Sequence, residues 1–178
     1  MIFNTILTVT LLANVTLALQ VMYEGFQQFS GFETIEFAVR IRKINRTTTA
    51  ATGKIIFKKE LGADCKFTMR FFHSPLGNQQ FIYYPMKIPE SDVCFFFKFI
   101  YPDYVDYFKD YLTNLPKVGE CPISPRVVEM NNHIMDSRMF PKYMPAGLWK
   151  AVLTGEGLGD NLTFELTVNM RGDNYYGG

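Results

Sequence analysis

Two cysteines, Cys94 and Cys121, bracket the most aromatic stretch of this chain, and that stretch limits the fold more than any other feature. It opens Asp92-Val93-Cys94, runs through Phe95-Phe96-Phe97-Lys98-Phe99-Ile100-Tyr101, crosses Pro102 and closes at Cys121-Pro122. Its second half places Tyr104, Tyr107, Phe108, Tyr111 and Leu112 at i, i+3, i+4, i+7 and i+8, the spacing of an apolar helix face. Pro102 suits a first turn and Asp103 a helix N-terminus, and Pro116 stops the run. For Val93 to Tyr101, phenylalanine favours a strand, whereas continuity and a cap from Ser91 or Asp92 favour a helix, the reading preferred here. The expectation is one helical insertion around residues 92–114, laid over a sheet.

Strand-like sequence flanks the insertion on both sides. In Thr34 to Lys43, Ile35, Phe37, Val39 and Ile41 share one face, with Glu36, Arg40 and Arg42 on the other. Asn161 to Arg171 alternates most cleanly, Leu162, Phe164, Leu166, Val168 and Met170 against Thr163, Glu165, Thr167 and Asn169. The loop Gly155 to Asp160 joins it to the strand that follows Met144-Pro145-Ala146-Gly147-Leu148-Trp149, predicting a hairpin. Val21 to Phe29, Lys54 to Leu61, Cys65 to His73 and Gln80 to Lys87 are further strand candidates. Gly62-Ala63-Asp64 predicts a hairpin between the second and third of these. Asn45 to Gly53 reads as a turn, Ile123 to Met130 as a short strand or connector, and Asn131 to Phe140 as irregular. Seven or eight strands with one helical insertion define a mainly β chain, an antiparallel β-sandwich or β-cup.

The first eighteen residues read as a secretory signal. Ile6 to Leu19 is apolar apart from short polar residues, and Thr16 and Ala18 are small residues before a cleavage after Ala18. The run is short for a membrane span, so the chain is not expected to be an integral membrane protein. A single β-cup domain follows over residues 19–171, with a disordered tail at 172–178. Secretion places three cysteines in an oxidising compartment, where one pair forms. Cys94 with Cys121 is preferred and Cys65 with Cys94 is the alternative; spacing does not decide between them. Asn45-Arg46-Thr47 and Asn161-Leu162-Thr163 make Asn45 and Asn161 candidate glycosylation sites.

Catalytic signatures do not accompany this framework. There is no G-x-S-x-G elbow, H-E-x-x-H or phosphate loop, and Gly155-Glu156-Gly157-Leu158-Gly159 has the wrong spacing for a dinucleotide. His73 and His133 stand without a visible nucleophile partner; Cys65 beside His73 reads as a buried thiol near a strand end. Asp106 and Asp110 read as a solvated face. No metal site and no cofactor are expected, because the cysteines and histidines lack ligand spacing. A net charge of +1 predicts no nucleic-acid partner. Arg40, Arg42, Lys43 and Arg46 are a solvated strand face or, alternatively, an attraction for an anionic lipid headgroup. What stands out is apolar excess: two strand faces already supply a core before the phenylalanines of the insertion are counted.

The order of Asp92-Val93-Cys94, an aromatic region, Cys121-Pro122 and Met144-Pro145-Ala146-Gly147-Leu148-Trp149 resembles the insect secreted proteins of the CheB-like, domain-of-unknown-function group. That group is in turn similar to the ML lipid-recognition superfamily, typified by the ganglioside activator protein. The resemblance implies an immunoglobulin-like, ML-type cup with a disulfide at Cys94 and Cys121, and leaves Cys65 outside the pattern. It implies an extracellular binding protein, not an enzyme, for a lipid or small hydrophobic ligand. The role it suggests is pheromone or taste detection, with a chemosensory receptor or channel as partner. The candidate pocket lining is Phe37, Val39, Ile41, Phe95, Phe97, Tyr104, Tyr107, Phe108, Trp149, Phe164, Leu166 and Val168. The competing expectation is an extracellular protein-interaction module with a filled core, acting through a receptor.

Overall fold

The computed structural model describes residues 19–157 and 159–172, so the expected signal at 1–18 and the tail at 173–178 lie outside the described residues. Two antiparallel sheets face each other. The strands are β1 (Gln20–Ser30), β2 (Ile35–Lys43), β3 (Thr49–Phe57), β4 (Lys66–Ser74), β5 (Ile82–Asp92), β6 (Leu112–Thr113), β7 (Arg126–Ile134), β8 (Gly147–Glu156) and β9 (Leu162–Arg171). One sheet has the order β1-β9-β8-β4-β5, the other β2-β3-β7-β6. The expected antiparallel sandwich is therefore the observed fold.

The predicted β8–β9 hairpin forms, with Leu153 opposite Phe164 and Gly155 opposite Leu162. The hairpin predicted between residues 54–61 and 65–73 does not. β3 belongs to the four-stranded sheet and β4 to the five-stranded one, so the chain changes layer at Gly62-Ala63-Asp64. The crossing is fixed by Leu61, which exchanges backbone hydrogen bonds with Ile123 at 3.0 and 2.9 Å. The turn read at Asn45 to Gly53 is shorter than expected, closing when Ile44 and Asn45 donate their N–H groups to the Thr48 carbonyl. Residues 49–53 are already strand, and Ala50 and Ala51 are buried there. Residues 131–134, read as irregular, continue β7. A bulge opposite Ala51–Gly53, with Asn132 at φ 51°, hides the alternation.

The helical insertion is present and composite. α1 (Val93–Phe95) leads into a π-helical turn at Phe96–Ile100, a 3-10 turn at Tyr101–Asp103 and α2 (Val105–Phe108). Asp92 caps it as predicted, its carboxylate accepting from Phe95 N–H at 2.8 Å. The helix read through Leu112 ends early. Leu112 pairs with Met130 on β7 and is buried as a strand residue. Cys94 and Cys121 form the disulfide, Cα to Cα 5.3 Å, and Cys65 is a buried free thiol. The bond ties the start of the insertion to the segment leading into β7.

The sheets approach closely where β1 meets β2 and β3. There Gln28 of β1 reaches the outer edge of β2. Its Nε2 donates to Ile35 O at 2.8 Å, and its Oε1 accepts from Phe37 N at 2.9 Å. Nearby, fully buried Thr34 donates its hydroxyl to Asp160 at 2.5 Å. The far edge of the five-stranded sheet is β5, which carries Pro85 and Pro89.

Candidate functional site

The inner faces alternate as the sequence requires, but they do not bury evenly. At one end lies a solid cluster: Val21, Tyr23, Ala51, Leu112, Val128, Met130, Trp149, Val168 and Met170 are all buried. Trp149 stacks on His73 at 4.4 Å and meets Tyr84 edge-on at 4.6 Å. Its indole N–H donates to Pro145 O at 2.9 Å, and His73 Nε2 lies 3.0 Å from Ala146 O. The indole N–H and His73 Nε2 thus each have a backbone carbonyl as partner. A second, smaller buried cluster joins Ile35, Leu61, Cys65, Ile123 and Leu162 at the layer crossing.

Between the clusters runs a belt that is only half-buried. Phe37 of β2, Ile55 and Phe57 of β3, Leu153 of β8 and Leu166 of β9 pack against one cluster or the other, and none is fully covered. Phe26, Phe37 and Phe164 form a ring triad across the two sheets, with centroids 4.7 to 5.4 Å apart, and all three rings stay half-buried. β3, β8 and β9 are interior strands of their sheets. Inward side chains on interior strands of a filled sandwich are close-packed and lose contact with solvent. Here rings of the two sheets touch, yet the belt side chains stay partly uncovered, leaving apolar surface that the chain's own packing does not bury.

The predicted lining residues divide accordingly. Phe37, Phe164 and Leu166 meet in the belt, and Val39 and Ile41 continue its β2 wall, half-buried against the larger cluster. Phe97 is half-buried against the smaller cluster and packs on Tyr101 at 4.8 Å. Trp149 and Val168 are packed into the solid end. Phe108 lies on His133 at 5.0 Å, and Tyr107 lies under the Arg138 guanidinium at 5.6 Å. Tyr104 and Phe95 are exposed; Phe95 packs at a tilt against exposed Phe99, centroids 4.9 Å apart. Phe26, Ile55, Phe57 and Leu153 were missed as lining. The alternation of Ile55 and Phe57 could have found the β3 pair, whereas Phe26 follows a bulge that breaks the period of β1.

Outside the interior, two open grooves are present. One of about 410 Å³ includes Lys66, Glu90, Asp92 and Phe95; the other, of about 290 Å³, includes Phe81, Lys150 and Glu165. Both are crossed by ion pairs, Lys66–Glu90 at 3.1 Å and Lys150–Glu165 at 3.2 Å, and neither reaches the belt triad. Arg40, Arg42, Lys43 and Arg46 are exposed, with Arg42 donating to Asn132 at 2.9 Å. Asn45 and Asn161 are exposed, and the Asn45 side chain accepts from Thr47 N at 2.8 Å. Among the described residues, no group of three His, Cys, Asp or Glu side chains is placed to hold a metal ion, and no helix is long and apolar enough to cross a membrane. Burial pushes the Cys65 thiol above the ordinary cysteine range, which leaves it a poor nucleophile. Compared with known proteins, the sequence matches no protein-family model and no curated relative.

Proposed function

We propose that this protein is a secreted carrier of a lipid or other small hydrophobic ligand, held along the belt between the two sheets. The observation that carries the reading is the half-buried state of Phe26, Phe37, Ile55, Phe57, Leu153, Phe164 and Leu166, which face inward from both sheets. Apolar surface left partly uncovered between two sheets is what a small apolar guest covers. The resemblance to CheB-like and ML-type proteins adds a chemosensory role, with a receptor or channel receiving the ligand. The reading assigns binding without covalent chemistry.

The test is titration of delipidated protein with a fluorescent fatty acid or hydrocarbon probe. Saturable uptake at about micromolar affinity or tighter is expected, and Leu166→Trp, which fills the belt, should abolish it while leaving the fold intact. Absence of saturable uptake by the wild-type protein overturns the reading. It would leave the protein-interaction module, for which the exposed Phe95 and Phe99 pair is the favouring observation.

A further inference from the structure

His133 has no accessible surface and lies on the inner face of β7. Three parts of the molecule converge on it. From β1 in the opposite sheet, the Tyr23 hydroxyl lies 2.6 Å from Nδ1. From the segment after α1, Phe108 and Tyr111 pack on the imidazole at 5.0 and 5.3 Å. From β3, the paired residue is Ala51, which carries no titratable group. The remaining ionisable neighbour is Asp136, just beyond β7, whose carboxylate is engaged by Arg138 at 2.6 to 3.0 Å.

The tautomer follows from the partners. Burial holds the Tyr23 phenol far above the ordinary tyrosine range, so its O–H is retained and donates. Nδ1 therefore accepts, and the imidazole hydrogen sits on Nε2. Nε2 makes no hydrogen bond of good geometry, and the Tyr107 backbone carbonyl is the group that favours its N–H. The opposite tautomer would leave both the Tyr23 hydrogen and the Nε2 lone pair without use, the latter against a carbonyl. A proton taken from solvent by Nδ1 changes this arrangement. The nitrogen becomes a donor, so the Tyr23 hydroxyl loses the acceptor of its buried hydrogen and must turn to accept, and the new cation sits among aromatic rings with no carboxylate in contact.

We propose that His133 is an acid-sensitive latch: protonation of Nδ1 takes away the acceptor of the buried Tyr23 hydroxyl, loosens β1 from β7 and the aromatic insertion, and opens the belt so that its hydrophobic ligand leaves. The last clause rests on the carrier reading; the latch itself does not. Burial pushes His133 below the ordinary histidine range, so the latch stays closed at neutral pH and yields only on acidification. The sign is consistent. A folded-state value below the unfolded one gives stability that is whole above the unfolded value and lost as pH falls towards the folded one.

The experiment follows His133 protonation by NMR of its ring and, in parallel, amide hydrogen exchange from about pH 7.5 to about pH 4.5, a span that covers the histidine range. Protection in β1, β7 and residues 105–113 should fall about tenfold or more beyond the intrinsic pH effect, in step with His133, while the β8–β9 hairpin keeps its protection. Protection that survives His133 protonation overturns the latch. So does an acid response retained in both His133→Gln and His133→Phe. Tyr23→Phe keeps the ring and removes the hydroxyl; it should show the loosened exchange already at neutral pH, and wild-type protection in it also overturns the latch. A fluorescent fatty acid loaded at neutral pH should leave the wild-type protein on acidification and stay in His133→Phe. If no probe loads at neutral pH, the carrier reading fails alone, and the exchange measurements still decide the latch.

Discussion

The Trp149 end and the Phe26–Phe37–Phe164 belt are built from the same strands, yet they reach opposite states. β9 contributes Val168 and Met170 to the first and Phe164 and Leu166 to the second, and only the first pair is fully covered. β3 contributes buried Ala51 at one end and half-buried Ile55 and Phe57 at the other. What differs is where the polar bonds lie. At the solid end, Tyr23 bonds His133 across the sheets, and Trp149 and His73 each satisfy a backbone carbonyl. Along the belt rings and aliphatic groups meet, and the polar link between the sheets, Gln28 to Ile35 and Phe37, runs along the β2 rim. Alternation decides which side chains point inward; it does not decide how completely each one is covered.

The comparison makes measurable demands, beginning with the largest. Trp149→Ala should cost about 3–5 kcal/mol in urea unfolding, the range for a large side chain lost from a packed core. Leu166→Ala should cost about 2 kcal/mol or less, because its site already has solvent access. Equal costs would mean that the belt is packed like the end. Removing the disulfide with Cys94→Ala and Cys121→Ala together should cost about 2–4 kcal/mol and loosen the insertion more than the belt, a pattern readable by hydrogen exchange. A smaller effect is expected from Leu166→Phe, which should be near neutral in urea unfolding, where overpacking a filled core costs about 1–3 kcal/mol. A penalty in that range would remove the difference between the regions.

The smallest effect concerns acid. The Thr34 hydroxyl, with the Glu33 N–H, holds the Asp160 carboxyl below the ordinary carboxylate range. Its contribution is present above the unfolded carboxylate value and is lost as pH falls through the folded one. Thermal unfolding should therefore show the wild-type protein losing slightly more stability than Asp160→Asn below about pH 4. An identical acid slope in both would show that this contact adds nothing to the closure beside β1 and β2.

Strands with one wet and one dry face were legible, as β2 and β9 illustrate. The β8–β9 hairpin was legible too, because its glycine-rich loop is short and both strands lie side by side. Sheet membership was not. Gly62-Ala63-Asp64 looks like a hairpin turn, but period-two patterning carries no information on which layer a strand enters, and the decisive partner, Ile123, is remote in sequence. The Tyr104 to Leu112 spacing fits a helix, yet Leu112 reaches the core as a strand residue, because pairing with Met130 captures it after α2 ends at Phe108. Within the site, Phe37, Phe164 and Leu166 could be read from alternation. The Tyr23–His133 bond could not, because it joins residues 110 positions apart and follows from how two sheets are stacked.

The Gln28 carboxamide has a consequence beyond the interior. It occupies the Ile35 carbonyl and Phe37 amide on the rim of β2, the groups that a strand from another molecule would need for pairing. At the opposite rim, Pro85 and Pro89 remove two donors from β5. A chain this rich in phenylalanine would otherwise be prone to zip edge to edge into fibrils, and it carries a guard on each of these flanks.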